Sequence, residues 1–149
     1  MRSRRSFITL LGGAAAAWPV VARGQQGERV RRIGVLMGSD ASDPEMQARL
    51  GAFQEALRAL GWSDGHNIQT DLRWFGGSSE RAAQYANEIA VFAPDVIVVN
   101  ATVGIEAVLK TTRSIPTVFV MVGNPVGSGY VASMSHPGAN VTGFSAFEP

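Results

Sequence analysis

Three short runs in this chain are apolar at nearly every position and rich in β-branched residues: Ile33-Gly34-Val35-Leu36-Met37, Val96-Ile97-Val98-Val99 and Val118-Phe119-Val120-Met121. A strand with one face in water alternates apolar and polar residues. A run without alternation belongs to a strand covered on both faces, the environment of a parallel sheet between layers of helix. The intervals between the runs carry helix signals. Asp43 and Pro44 suit the start of a helix, and Glu45 suits its positive end. Met46, Leu50, Phe53, Leu57 and Leu60 then recur at spacings of four and three, and Gly61 follows as a stop. Residues 67–75 read as a strand with Ile68, Leu72 and Trp74 among polar neighbours, hence nearer a sheet edge. Ser78 or Ser79 can cap a second helix, with Ala82, Ala86, Ile89 and Ala93 on one side and Pro94 ending it. A third helix is expected over about 103–112, a short one over 126–135, and a fifth strand over 140–144. Alternating strands and helices of this kind predict an α/β fold, a three-layer sandwich around a mainly parallel sheet. The chain ends soon after the fifth strand, so that strand is expected to leave an apolar edge and face uncovered.

The N-terminus has a different character. Arg4-Arg5 precedes an apolar, small-residue run from Phe7 to Ala22, which closes in Ala22-Arg23-Gly24. This is the layout of an export signal, and the paired arginines followed by Phe7 resemble the twin-arginine (Tat) subtype. The run is about 16 residues long and contains Gly12-Gly13 and Pro19, short of the roughly 20 that span a bilayer. Residues 1–24 are therefore expected to be cleaved after Gly24, leaving 25–149 as one exported domain in the periplasm. Four of the 13 basic residues lie in that leader and all 12 acidic residues lie beyond it, so the mature part carries 9 minus 12, or −3. No basic cluster with interleaved aromatics survives processing, which argues against nucleic acid as a partner.

The chain has no cysteine. Disulfides, metal–thiolate sites and cysteine nucleophiles are excluded. His66 and His136 stand in turn contexts with no ligand spacing to a second histidine, and no metal site is expected. Motifs for phosphate loops, dinucleotide binding, nucleophile elbows and zinc proteases are absent. No catalytic residue and no cofactor is assigned, and a non-enzyme is expected. Trp62 and Trp74 are read as core or rim packing.

In a parallel sheet the strands share a direction, so their following loops converge on one edge, where ligands bind. The loops expected there are Gly38-Ser39-Asp40, Asn100-Ala101-Thr102 and Gly123-Asn124-Pro125. Thr102 would cap the third helix, whose free N–H groups attract an anion. The same residue types also serve as plain caps and turn-formers, so a structural role for each stays open.

Several separate stretches carry a family resemblance: Arg32-Ile-Gly-Val-Leu-Met-Gly38, Leu60-Gly-Trp62 with Gly65 and Asn67, Ala93-Pro-Asp-Val96, Ile115-Pro-Thr-Val-Phe-Val120, Asn124-Pro-Val-Gly-Ser-Gly129 and Pro137-Gly-x-Asn-Val-Thr-Gly-Phe144. In this order they resemble the bacterial ABC-transporter substrate-binding proteins of the tryptophan/tyrosine type. The resemblance implies one lobe, Rossmann-like, of a two-lobed type I periplasmic binding protein that closes on a small solute, in some members an aromatic amino acid. It places ligand-facing residues at Ser39, Asp40, Ala101, Thr102, Asn124 and Pro125. The family often has an acidic residue where Asn124 stands, so a partner for a ligand's ammonium group is missing here. It implies an ABC permease and its separate ATPase as partners. It also implies that 25–149 is the first lobe, with a second lobe beyond it. The rival expectation is the ligand-sensing lobe of a signalling receptor or regulator, which shares this fold.

Overall fold

In the computed structural model, which describes residues 29–145, five strands and three helices follow one another. They are β1 (Arg31–Met37), α1 (Pro44–Ala59), β2 (Ile68–Trp74), α2 (Ser79–Phe92), β3 (Val96–Asn100), α3 (Thr102–Thr111), β4 (Thr117–Val122) and β5 (Val141–Ser145). The strands form a single sheet in the order β2-β1-β3-β4-β5. Every neighbouring pair is parallel. The polar second strand is indeed an edge, as is β5.

The non-alternating runs sit where burial on both faces demands them. On one face Ile33, Val35 and Met37 of β1 pack with Ile68 of β2 against Leu50 of α1, flanked by Met46, Phe53 and Leu57. On the other, Leu36, Ile97, Val99 and Phe119 meet Ala82, Ala86 and Ile89 of α2 and Ile105 and Val108 of α3. Leu36, Val99, Ile89, Ile105 and Phe119 have no exposed surface at all. The chain therefore has three layers: α1, sheet, α2 with α3.

Capping follows local chemistry. The Asp43 side chain accepts from the Glu45 and Met46 amides, with Pro44 in the first turn; Ser78 accepts from the Arg81 amide. Four expectations need correction. Leu60 is not on the buried face of α1. It is the C-cap residue and is 75% exposed, because the helix has already ended at Ala59 and Gly61 turns the chain at φ +87°. Ala93 likewise leaves the α2 face, since it ends that helix in the left-handed conformation at φ 52°. Thr102 does not cap α3: the cap position belongs to Ala101, which has no side chain to offer, and Thr102 is the first helical residue. Residues 126–135 form turns instead of a helix. There the Asn124 side chain takes the Gly127 amide at 3.0 Å, and the Tyr130 and Val131 amides both turn back to the Pro125 carbonyl. Those bonds compete with the helical pattern, and Gly129 at φ +74° breaks it further.

The entry to the sheet is clipped by Asp95. Its carboxylate accepts from the Arg32 amide at 2.9 Å and from the Arg31 guanidinium at 3.2 Å, with Arg29 at 3.1 Å. The backbone bond from Arg32 holds this carboxyl below the usual aspartate value, aided by the two arginines. A depressed pKa means that the clip stabilises the fold above the unfolded-state value near 3.8, and that its contribution is lost as pH falls through the lower folded value. Asp95→Asn should cost about 1 kcal/mol at neutral pH. The gap between variant and parent in chemical denaturation should close below pH 4, within about one unit of the reference aspartate pKa.

Gly34 lies in the middle of β1, where a Cβ would overlap Cγ2 of Ile89. This glycine lets α2 sit directly on β1, an interior strand. Gly34→Ala should destabilise by about 1–3 kcal/mol through overpacking. Adding Ile89→Val should recover part of that loss in the same denaturation measurement.

Candidate functional site

Between β1 and β3 the strand order reverses: the chain goes from β1 outward to β2, then crosses back to β3 and continues outward to β4 and β5. Helices therefore leave β1 and β3 on opposite faces, and the carboxyl ends of these two strands form the switch point where open α/β sheets bind ligands. The loops reaching it are 38–40 and 100–102, with the turn after β2 alongside.

The first loop is held by its backbone. The Phe75 amide donates to the Met37 carbonyl at 3.0 Å, Gly77 to Gly38 at 2.6 Å and Gly76 to Ser39 at 3.2 Å. The Gly38 amide donates to Oδ1 of Asn100 across the switch point, at 3.3 Å. Gly38 is required there, because a Cβ would lie 2.9 Å from the Ala101 Cβ and 3.0 Å from Asn100 Oδ1. The two loops are thus in direct contact. With its backbone anchored, Ser39 keeps its hydroxyl Oγ buried and without a hydrogen-bond partner among the described residues. Buried hydroxyls are almost always paired, so this one marks a place where a partner is missing. Asp40 is exposed, and its carboxylate and the Arg81 guanidinium both lean over Gly76, within 2.6 and 2.7 Å of where a Cβ there would stand.

The second loop supplies the start of α3. Ala101 adopts φ 71°, ψ 156°, a region that residues with a Cβ occupy at a cost of order 1–3 kcal/mol. Its amide donates to the Val120 carbonyl at 3.2 Å and its carbonyl accepts from Ile105 at 3.2 Å. No side chain caps this helix, so its first amides stay available to an anion.

Asn124 and Pro125 follow the next strand, and their oxygen acceptors are engaged in the turn that follows. The Asn124 side chain binds the Gly127 amide, its carbonyl accepts from Ser128, and the Pro125 carbonyl accepts from Tyr130 at 3.0 Å. Of the six predicted ligand-facing residues, Ser39, Asp40, Ala101 and Thr102 lie on two touching loops, while Asn124 and Pro125 organise their own turn. Of the four described non-glycine residues at positive φ, Ala101, Met121 and Asn124 stand at or just beyond the ends of β3 and β4. Backbone strain is therefore concentrated along this edge.

Asn100 was missed by the sequence reading as a site residue. It is 6% exposed and ties the two loops together; the available signal was a lone amide closing the run Val96-Ile-Val-Val-Asn100. His66 and His136 are exposed, and among the described residues no three His, Asp or Glu side chains gather as metal ligands. Among those residues, too, no helix is long and apolar enough to cross a membrane.

Residues 33–149 match the family model described as ABC transporter substrate binding protein. A tyrosine-binding protein of Clostridioides difficile (strain R20291) is 29% identical over 104 residues, 70% of this chain and 30% of its own length. A conserved domain protein from Vibrio cholerae superposes with TM-score 0.74 at 31% identity, over 81% of this chain and 40% of that one. A streptococcal ABC domain in complex with L-Trp gives TM-score 0.70 at 25% identity, over 77% and 38%. The chain thus spans well under half the length of these relatives. It belongs to the ABC transporter substrate-binding family, and its five-stranded parallel α/β sheet is the fold of those neighbours.

The strain at Ala101 gives a direct test of this geometry. Ala101→Gly should raise stability by about 1 kcal/mol, because glycine adopts φ 71° without penalty. Unchanged or lower stability in denaturant titration would mean that the conformation carries no strain.

Proposed function

We propose that this member of the substrate-binding family is the first lobe of an exported solute receptor serving an ABC importer, and that the crevice between β1 and β3 is its half of the solute site. The observation that carries the reading is the partnerless buried hydroxyl of Ser39 beside the uncapped start of α3. A carboxylate at that position would receive the α3 amides and the Ser39 hydroxyl together, satisfying donors that the lobe leaves open. Asp40 stands beside the crevice to meet a cationic group. The solute class is an amino acid with an aromatic side chain, a reading supported by relatives named for tyrosine binding and for a complex with L-Trp. Asn124 and Pro125 join the site as shaping residues of the neighbouring turn. The reading involves no covalent chemistry.

In the full receptor a second lobe would close over the opposite side of the solute, and the closed form would be what the permease recognises. One lobe alone leaves most of the solute surface in water, so affinity of the isolated lobe should be weak. Residues 1–24, which lie outside the described residues, act in this reading as a Tat-type export signal cleaved after Gly24, delivering the receptor to the periplasm.

Ser39→Ala separates a binding role from a packing role. Removing an unpaired hydroxyl should leave stability unchanged or raise it by up to about 1 kcal/mol. Ligand-detected NMR with L-tyrosine and L-tryptophan should show about tenfold weaker binding, the loss of one charge-assisted hydrogen bond. A destabilised variant with unaltered binding would make Ser39 structural and refute the assignment.

A further inference from the structure

The sandwich has a second end, where the strands begin and the helices finish. Hydrogen bonds draw its segments together. The Arg31 amide donates to the Asn67 carbonyl at 2.9 Å, and the Asn67 side-chain amide donates to the Gly61 carbonyl at 2.7 Å. The Arg32 guanidinium donates to the Phe92 carbonyl at 3.0 Å, and the Ile97 amide donates to the Pro116 carbonyl at 2.8 Å. Residues 29–32, 58–67, 91–95 and 112–116 therefore form one surface. The length of β1, roughly 23 Å by strand rise, separates it from the switch point.

Charge is sorted along that axis. Residues 25–149 carry 9 basic and 12 acidic side chains, yet Arg29, Arg31, Arg32, Arg58, Lys110 and Arg113 all stand at this end. The acids beside them among the described residues are Asp64, which accepts from the Thr70 amide at 2.8 Å, and Asp95, which Arg29 and Arg31 share. Glu55 and Glu88 stand about a turn higher on their helices, and Glu88 is held by Arg73 at 3.0 Å. Asp40, Asp43, Glu45 and Glu80 gather at the opposite end. Helix dipoles account for Arg58 and Lys110, in the last turns of α1 and α3. They do not account for Arg29, Arg31 and Arg113, which lie outside the helices. Among the described residues Arg58, Lys110 and Arg113 have no ion-pair partner.

Apolar side chains stand singly between these cations. Val30, Leu60 and Trp62 are exposed, and Val91 in the last turn of α2 is 86% exposed. The Trp62 amide donates to the Leu57 carbonyl at 2.9 Å, which fixes this residue at the rim. A protein interface gathers its apolar residues into a core depleted of charge, and a single-stranded nucleic acid site offers several aromatic rings for stacking. Isolated aliphatic side chains and one tryptophan among arginines match instead the headgroup layer of a bilayer. There phosphates take the cations and the apolar groups enter between headgroups.

We propose that this end of the domain docks on an anionic phospholipid bilayer. The basic side chains meet lipid phosphates, while Val30, Leu60 and Trp62 enter the headgroup layer. The acidic opposite end is repelled by the same surface, so charge alone sets the orientation. The switch-point edge then faces away from the bilayer, and the docking stands whether or not that edge binds a solute.

The test places the isotope-labelled 149-residue chain on nanodiscs of equal parts phosphatidylglycerol and phosphatidylcholine that carry a spin-labelled lipid. Amide broadening should concentrate in residues 29–32, 58–62 and 112–114, spare 38–45, and vanish on phosphatidylcholine alone. Replacing two exposed cations, Arg58→Glu with Arg113→Glu, should weaken vesicle binding at least tenfold. Leu60→Ser should weaken it about threefold, and Val126→Ser, an exposed position beyond the end of β4, should leave it unchanged. Absence of broadening at these amides, equal broadening on phosphatidylcholine, or full binding by the double variant overturns the proposal. Vesicle attachment that leaves residues 29–145 unbroadened would place the contact in residues 1–24 and also overturn it. Heparin shifting these amides while the nanodiscs do not would assign the surface to a soluble polyanion, again overturning it.

Discussion

Hydrogen bonding between β1 and β3 is the contact on which the rest of the molecule depends. It joins two strands that are far apart in sequence, from Ile33 opposite Val96 to Leu36 opposite Val99, and both must be apolar on both faces to sit there. Because the pairing is parallel, it brings the ends of both strands to one edge, and because the strand order reverses here, the helices that follow leave on opposite faces of the sheet. Gly34 allows α2 to lie close on one side of this joint, and Gly38 allows the two loops to touch at its end. The same arrangement that builds the core therefore builds the switch point at its edge.

Much of this was legible in the sequence because burial on both faces leaves a plain mark. Val35, Leu36, Ile97 and Val99 could not belong to a strand with a wet side, and the polar residues among Ile68, Leu72 and Trp74 correctly put β2 at an edge. Asp43 and Ser78 announced two helix starts because their side chains have one good use in that position. What stayed hidden depends on backbone conformation or on contacts between distant segments. Nothing about an alanine foretells φ 71°, and so Ala101 took the cap position that Thr102 seemed made for. Asn100 was read only as part of the loop after the third strand, since its bond to Gly38 spans 62 positions. The 126–135 helix failed because Asn124 captured the Gly127 amide, a local competition that residue spacing does not reveal.

The strand-end edge and the sheet face place different demands on the fold. At the edge the chain holds Ala101 in a costly conformation and leaves the Ser39 hydroxyl without a partner among the described residues. On the α1 side the departure is one of covering, with Val98, Val118 and Val120 half-buried and Phe144 exposed where Ile97, Val99 and Phe119 on the opposite face are buried. The domain is thus locally strained at one edge and less covered on half of one face.

The central claim is that the β1/β3 crevice is the solute site, and the most direct measurement is backbone amide shift mapping of the isotope-labelled chain during titration with L-tyrosine and L-tryptophan. The account predicts saturable shifts concentrated in residues 38–40 and 100–103, with smaller ones in 75–78, even if the affinity of one lobe is low. Shifts that avoid those loops, or none at solute concentrations of about 10 mM, well above the roughly 1 mM range of weak complexes, would contradict it.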